Sequence, residues 1–313
     1  MRLVLATLVS LTLWLPSARA EEAGCPPTAQ PPTAEQMQAA QAAAKDRGAL
    51  WQLRKDGRVS YLYGTVHVGK LDWAFPGPQL QAAMRATEVL AVEINPLEPG
   101  FMADVQTAQA KAAKLELTSA EQARLDAQAD AACLPRPALA ALHPVMQAIT
   151  YVSLAGRRDG LDPAFGQDMV LLGGAQALKR PVVALESVAS QMAVLLPADP
   201  AAARELLNQT LDSLQRQESR LSLKRIGQAW EVGDLDVIGS PAKLCDCVPT
   251  AQEMQLMRRL NDDRNPTLAD RIAEEHAKGK PLLAAVGTLH MTGPQALPRL
   301  LQERGFEVER VKY

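Results

Sequence analysis

Two of the four histidines occupy nearly the same phrase near opposite ends of the chain. His67 closes the stretch YLYGTVH, and His290 closes LAAVGTLH. In each phrase the glycine permits a tight exit from a strand, so the imidazole that follows can stand at the carboxyl edge of a sheet. Neutral imidazoles are ligands for Mn, Co, Zn or Fe. Two such exits from one sheet predict a shared site for a divalent metal ion.

Two glutamates are placed in the same way. Glu93 follows the short apolar run VLAV, and Glu186 follows VVAL. Two histidines and one carboxylate form a recognised metal site that keeps positions open for water, and Glu93 is the predicted third ligand. Each residue also has a plainer interpretation, because a lone histidine near a strand end is usually structural and Glu93 alone could be a capping or salt-bridged carboxylate. The doubled phrase favours the shared site.

The other two histidines have no comparable setting. His143 precedes a proline in a helical stretch, and His276 follows two glutamates on what we expect to be a solvated helix face. We interpret both as structural or exposed residues and not as ligands.

Strands that alternate with helices must position the candidate residues. Apolar residues alternate on both sides of Asp56-Gly57, which predicts a β-hairpin. Short apolar runs at 89–94, 180–187 and 281–290 predict further strands, and a last one is expected near the C-terminus. From 101 to about 214 helical spacing predominates. The expected fold is α/β: a central mixed sheet flanked by helices, with a long, mainly helical middle insertion.

The first residues have the composition of a secretory signal peptide. Arg2 precedes an apolar run over 3–15, and the small-x-small pattern at 18–20 predicts cleavage after Ala20. The run is shorter than the roughly 20 residues of a membrane-spanning helix. We therefore expect a periplasmic or secreted protein without stable membrane insertion. Lipidation at Cys25 is disfavoured, because acidic residues stand where a lipobox would be apolar.

The remainder of the chain is predicted to form one domain behind a short leader. Residues 21–45 read as a flexible leader and a short helix, and residues 46–313 as the α/β domain. Hydrophobic residues make up 47% of the sequence, which suffices for a real core. The formal net charge of −2 gives no reason to expect nucleic acid as a partner. The oligomeric state is not predicted.

The four cysteines all follow the predicted cleavage site, where an even number predicts disulfides. Cys245 and Cys247 flank a single residue, so each is expected to pair with Cys25 or Cys133 and not with the other. Their spacing does not resemble a zinc ribbon. The sequence leaves the connectivity open.

Six motifs, taken in order, resemble the TraB/GumN family, to which the Tiki metalloproteases are related. The resemblance covers about residues 50–311. The motifs are YLYGTVHVGK, LAVEINP, ALESVASQ, AWEVGD, DDRNPTLADRI and LAAVGTLHMTGPQALPRLLQERGFEVERV.

This resemblance implies a metal-dependent hydrolase of the peptidase kind, with a fold similar to that of the erythromycin esterase and ChaN group. The family pattern places the active site on its two Gly-x-x-His motifs and a glutamate, here His67, His290 and Glu93. Its Arg-Asn pair falls on Arg264 and Asn265. The arginine could stabilise an oxyanion, and the asparagine could donate to it or orient a ligand.

Several roles stay open within this interpretation. Arg264 and Asn265 could equally be an ordinary helix start in NDDRNP. Glu186 and Gln191 match the family's Leu-Glu and Gln positions and are expected to support the site or the fold. Glu93 is either the third ligand or the general base, and one carboxylate rarely serves both purposes.

Two other functions compete with a hydrolase acting on peptides or proteins. A non-catalytic periplasmic accessory protein could use the same crevice for haem, iron or an envelope ligand. Haem would bind without covalent attachment, since the sequence contains no Cys-x-x-Cys-His motif. A pseudoenzyme could instead support polysaccharide assembly through protein contacts.

Overall fold

A computed structural model describes residues 24–313. The predicted signal peptide and its cleavage site lie outside the described residues. Among the residues described, no helix is both long enough and apolar enough to cross a membrane.

A mixed sheet of six strands forms the centre of the described part of the chain. Its order is β4-β3-β5-β2-β1-β6. The strands are β1 (Ala49–Lys55), β2 (Arg58–Thr65), β3 (Val89–Val92), β4 (Val182–Ala184), β5 (Leu282–Gly287) and β6 (Glu307–Arg310). The four strands β4, β3, β5 and β2 run parallel to one another, whereas β1 is antiparallel to both β2 and β6. The predicted α/β fold with a central mixed sheet is confirmed.

Helices cover the sheet and fill the middle of the chain. Most of the helices lie between β3 and β5 in sequence, and the short β4 is the one strand among them in the described residues, so the predicted helical insertion is confirmed. The helices are α1 (Ala34–Ala42), α2 (Pro78–Ala86), α3 (Phe101–Ala110), α4 (Ser119–Ala131), α5 (Pro144–Ala155), α6 (Gln167–Ala177), α7 (Val188–Leu195), α8 (Pro200–Gln215), α9 (Glu218–Glu231), α10 (Leu235–Ile238), α11 (Pro241–Cys245), α12 (Ala251–Leu260), α13 (Asn265–Ala277) and α14 (Leu297–Glu303).

The hairpin that opens the sheet forms where the sequence predicts it. Lys55 pairs with Arg58 across a two-residue turn. Both turn residues have positive φ, 51° at Asp56 and 70° at Gly57. Asp-Gly is well suited to this turn because the backbone twist it requires matches that of the flanking strands.

Alternate residues of the strands enter two separate cores. Leu50, Tyr63 and Leu283 face the core that contains most of the insertion helices. Leu62 and Val286 face the opposite core, which is closed by α13 and α14. Because both faces are covered, β5 is buried along its whole length, as expected for the central strand of a parallel sheet.

Parallel pairing aligns the ends of the strands. Thr65 at the end of β2 pairs with Gly287 at the end of β5, and Val92 at the end of β3 pairs with Ala184 at the end of β4. The segments that leave these four strands therefore start from one edge of the sheet.

Two disulfides are present, and one of them contradicts the sequence-based expectation. Cys25 is joined to Cys133, across 108 residues of sequence, so the segment before α1 is tied to the end of α4. Cys245 is joined to Cys247. The prediction of two long-range pairs was wrong because Asp246 adopts a left-handed conformation with φ 56°. This turn brings the two Cα atoms to 5.2 Å, within the range that a disulfide spans.

Both histidines outside the sheet edge serve structural hydrogen bonds. His143 caps α5 by accepting from Val145 N–H at 3.2 Å. His276 is only 1% exposed, and its ring nitrogens lie 2.8 Å from Ser60 Oγ and 3.0 Å from Lys55 O. His276 is thus structural, one of the two expectations for it, but the expected solvated helix face was wrong, because α13 packs this face against the β1–β2 hairpin.

Candidate active site

The carboxyl edge of the sheet brings three predicted site residues to one point. His67, Glu93 and His290 follow β2, β3 and β5. A β-carbon placed on Gly287 would stand 3.1 Å from Glu93 Oε1. The same point is 3.6 Å from His67 Nε2 and 3.6 Å from His290 Cδ2. The two rings therefore border the same small space beside Glu93.

Packing, as well as chemistry, explains why each of the two repeated phrases contains a glycine. Any side chain at Gly287 would fill the space that Glu93 and the histidines face. A β-carbon at Gly64 would approach Thr288 Oγ1 to 2.9 Å. The glycine of each phrase thus leaves room for a group on a neighbouring strand, which is why both phrases need one.

His67 stands at the more exposed side of the crevice. Its Nδ1 is 2.6 Å from Asp168 Oδ2, and the two side chains are 25% and 21% exposed. Thr65 Oγ1 donates to the other carboxylate oxygen at 2.7 Å. Burial lowers the pKa of His67, but the Asp168 carboxylate outweighs this effect and the net shift is upward. Asp168 thereby favours a proton on this ring, and Nε2 lies on the side of the crevice.

Sequence reasoning missed Asp168. It lies in the first turn of α6, where acidic residues are common because they complement the helix dipole. It belongs to none of the motifs, so only the folded chain shows that α6 begins beside the exit of β2.

His290 is deeply buried and has a neutral anchor. Its Nδ1 lies 2.5 Å from Asn265 Oδ1, and the Asn265 amide donates to His290 O at 3.2 Å and to Gln295 O at 2.7 Å. Burial lowers the pKa of His290 to about 4. Asn265 therefore fixes the orientation of a neutral ring from the first residue of α13.

Arg264 lies at the centre of the buried charges. It donates through Nη2 to Glu93 Oε2 at 2.6 Å and through Nε to Glu186 Oε1 at 3.0 Å, with a further short contact between Nη2 and the other Glu186 oxygen. Its Nη1 donates to Leu260 O at 2.8 Å and to His290 Nε2 at 3.3 Å. All four of the ionisable side chains are at least nine-tenths buried. One guanidinium therefore links both glutamates to one histidine.

The two glutamates shift in opposite directions. Burial raises the pKa of Glu93, but Arg264 outweighs it, together with His290, His67 and the Gly287 N–H that donates at 2.8 Å, so the net pKa is low. Burial raises the pKa of Glu186, and Arg264 only partly offsets this. Glu93 is the firmly ionised carboxylate, and Glu186 is the one that accepts a proton first.

Gln191 leaves an unpaired acceptor beside this cluster. Its Nε2 donates to Glu93 Oε2 at 3.2 Å. Its Oε1 is buried and has no hydrogen-bond partner among the described residues. Buried polar atoms are nearly always paired, so this oxygen is available to a further group in the crevice.

The side chains in the crevice offer the types of ligand atom that bind a divalent ion. Their present spacing, however, is too wide for them to bind one ion together. His67 and His290 each have Nδ1 beside an anchoring side-chain oxygen and Nε2 on the side of the crevice, which is how metal-binding histidines are usually oriented. Glu93 supplies a carboxylate. Within residues 24–313, however, no three His, Cys, Asp or Glu side chains converge closely enough to hold an ion, because Arg264 lies against Glu93 and His290.

Comparison with known proteins gives the relationship of the chain. It is 26% identical over 254 residues to the uncharacterized protein YbaP of Shigella flexneri, a match that covers 78% of this chain and 88% of that protein. No solved structure matches the chain. The profile of the TraB/PrgY/gumN family matches residues 49–310. The chain therefore belongs to the TraB/PrgY/gumN family.

Proposed function

We propose that the crevice is the active site of a hydrolase that cleaves peptide bonds with a divalent metal ion, in the periplasm or outside the cell. The observation that supports this most is the pair of anchored imidazoles whose rings adjoin Glu93 at one sheet edge. His67, His290 and Glu93 would hold the ion, which is Mn, Co, Zn or Fe. Such an ion polarises the scissile carbonyl and lowers the pKa of its bound water.

The opposite pKa shifts divide the tasks of the two glutamates. A carboxylate with a low pKa, such as Glu93, is a poor base and suits a ligand. Glu186 has a raised pKa and suits proton transfer. This division supplies the second carboxylate that a hydrolytic mechanism needs. The division of tasks follows from the burial of both glutamates and from their shared contact with Arg264.

Arg264 has two roles in this proposal. It keeps Glu93 ionised, and Glu186 gives it a second carboxylate with which it stays paired when Glu93 turns to an ion. The guanidinium then remains beside the crevice, where its donors can stabilise negative charge that develops on a substrate oxygen. Substrate approaches from the side of His67, because this ring is 25% exposed whereas that of His290 is 3% exposed.

Metal analysis of purified protein tests the proposal. Wild-type protein should contain a stoichiometric divalent ion, and His67→Ala and His290→Ala should lose it while keeping their circular dichroism spectrum. His143→Asn is the matched control, because this histidine lies outside the crevice. Folded His67 and His290 variants with unchanged metal content would contradict a shared metal site.

The non-catalytic alternatives make different predictions for the same variants. A haem-binding accessory protein would show a Soret band on titration with haemin and would leave a peptide library uncut. A pseudoenzyme that acts through protein contacts would keep its effect on the envelope or on polysaccharide when both histidines are replaced. Cleavage of peptides that depends on His67 and His290 would favour the hydrolase over both.

A further inference from the structure

The disulfide between Cys245 and Cys247 lies outside the crevice and forms a very small ring. Cys245 is the last residue of α11, Asp246 turns the chain, and Cys247 precedes the segment that leads to α12. Both cysteines are partly exposed, and the neighbouring Val248 is 90% exposed. An attacking thiol can therefore reach the bond from solvent.

This bond does not hold distant parts of the chain together. α11 is anchored by Leu244, whose side chain is fully buried, and by Arg225 Nη1, which donates to Leu244 O at 3.1 Å. The other disulfide, Cys25 to Cys133, closes a separation of 108 residues. Opening the short ring leaves the anchors of α11 in place, which is what a bond that breaks and re-forms requires.

A cation holds the turn that carries Cys245. Arg225 contacts both chain neighbours of Cys245, through Leu244 O and through Asp246 Oδ2, the latter at 3.1 Å. Asp246, the carboxylate that pairs with Arg225, adjoins both cysteines, whereas Arg225 also holds the Leu244 side of Cys245, so its positive charge favours the thiolate of Cys245 over that of Cys247.

We propose that the Cys245–Cys247 pair is a thiol–disulfide exchange site whose substrates are dithiols of peptides or proteins. A substrate thiolate attacks Sγ of Cys247, the bond between the two cysteines breaks, and Cys245 leaves as a thiolate on the turn that Arg225 holds. The second substrate thiolate attacks the substrate sulfur of the mixed disulfide and releases Cys247. Two electrons pass from the dithiol to the pair, and the two thiol protons pass through solvent to the cysteine thiolates. A small-molecule disulfide such as oxidised glutathione takes up the two electrons and restores the bond.

Differential alkylation followed by peptide mass spectrometry tests the exchange. The full secreted chain is incubated with reduced and oxidised glutathione, and each cysteine pair is quantified over time. We expect Cys245–Cys247 to open at least about tenfold faster than Cys25–Cys133, without a change in circular dichroism. Equal rates, or two free thiols at these positions in protein purified without reductant, would overturn the proposal.

Turnover distinguishes an exchange site from a merely reducible bond. With oxidised glutathione present, the protein should oxidise a model dithiol peptide. The double variant Cys245→Ser/Cys247→Ser should lose this activity, whereas Cys25→Ser/Cys133→Ser should keep it. A double variant at 245 and 247 that oxidises the peptide at the wild-type rate would rule the site out.

The role given to Arg225 has its own readout. In the reduced protein the pH dependence of alkylation reports the pKa of the Cys245 thiol, which Arg225→Gln should raise and Arg225→Lys should largely preserve. An identical pH profile in Arg225→Gln would remove Arg225 from the proposal. None of these measurements depends on hydrolase activity or on metal content.

Discussion

The exits of β2 and β5 share a phrase but lie in different electrostatic surroundings. At the β2 exit, the ring of His67 is partly exposed, and Asp168 raises its pKa. At the β5 exit, the ring of His290 is buried, its anchor is the neutral amide of Asn265, and its pKa falls to about 4. The shared phrase brings the rings to one place, whereas their anchors and their burial set their charge.

Asp168 and Asn265, which anchor the two rings, differ by little more than one atom of the side chain. A carboxylate and a carboxamide each offer an oxygen to Nδ1, and both come from the first turn of a helix, α6 for Asp168 and α13 for Asn265. Only the carboxylate adds a negative charge that favours the protonated ring. The amide at Asn265 therefore anchors His290 without adding a third carboxylate to the two that share Arg264.

Loss of Arg264 should have the largest effect. Arg264→Ala leaves Glu93 and Glu186 buried without their counter-charge, which costs about 3–5 kcal/mol in the free energy of unfolding measured in urea. The matched change at the exposed exit, Asp168→Asn, should cost under about 2 kcal/mol. Equal losses in the free energy of unfolding would show that burial does not account for the difference between the two exits.

The stability of the β5 exit should depend on acid. A histidine has an ordinary pKa of 6.5, whereas that of His290 in the folded protein is about 4. The unfolded chain therefore takes up this proton first as the pH falls, and stability is lost between these two values. The loss approaches about 3 kcal/mol at the acid end.

Urea unfolding near neutral pH and near the acid end of that range measures this effect. His290→Asn should lose less stability on acidification than the wild type. At the other exit the sign reverses. The raised pKa of His67 adds stability below 6.5 that is lost as the pH rises through the folded value, and His67→Asn should abolish that part. Parallel pH profiles for both variants would contradict the comparison.

Exchanging the anchors should exchange the charges of the rings. Asn265→Asp should raise the pKa of His290, and Asp168→Asn should lower that of His67, each by about 1–3 units. Imidazole proton shifts in chelator-treated protein report both values. His276, whose pKa is lowered by burial at a distance from the crevice, is the internal control. Unchanged values would mean that burial alone sets the difference.

The threonines of the two phrases provide the smallest and most closely matched test. Thr65 Oγ1 donates to Asp168, so Thr65→Val should cost about 1 kcal/mol. Thr288 Oγ1 is buried without a hydrogen-bond partner among the described residues, so Thr288→Val should be neutral or stabilising. Urea unfolding of both variants measures these changes in stability. A larger loss of stability in Thr288→Val than in Thr65→Val would contradict these assignments.

Local signals predicted most of the sheet. The hairpin at Asp56-Gly57 and the strands near both histidines are where the pattern indicates, because turn chemistry and apolar alternation act over a few residues. The ends of strands were less predictable. The strand expected over 89–94 stops at Val92 and that over 180–187 stops at Ala184, since the chain turns there into the crevice.

A local backbone angle accounts for one failure of prediction, and a non-local contact accounts for the other. The sequence offered no sign that Asp246 would turn the chain and pair two neighbouring cysteines. Two glutamates before His276 suggested a solvated face, yet the hairpin packs over it. At the cysteines, an unusual backbone angle changed what the sequence spacing had suggested. At His276, the packed hairpin did so.

The sequence by itself determined the strand exits and the glycines that let a side chain approach, because these depend on alternation and on the absence of a β-carbon. It also marked His67, Glu93, Glu186 and His290 as residues that leave one sheet edge. Only the tertiary structure decided which ring takes up a proton more readily, since Asp168 reaches His67 from far along the chain and raises its pKa, whereas burial lowers the pKa of His290. The proton affinity of these rings depends on their distances from other side chains and on their exposure to solvent. A local sequence pattern contains neither quantity.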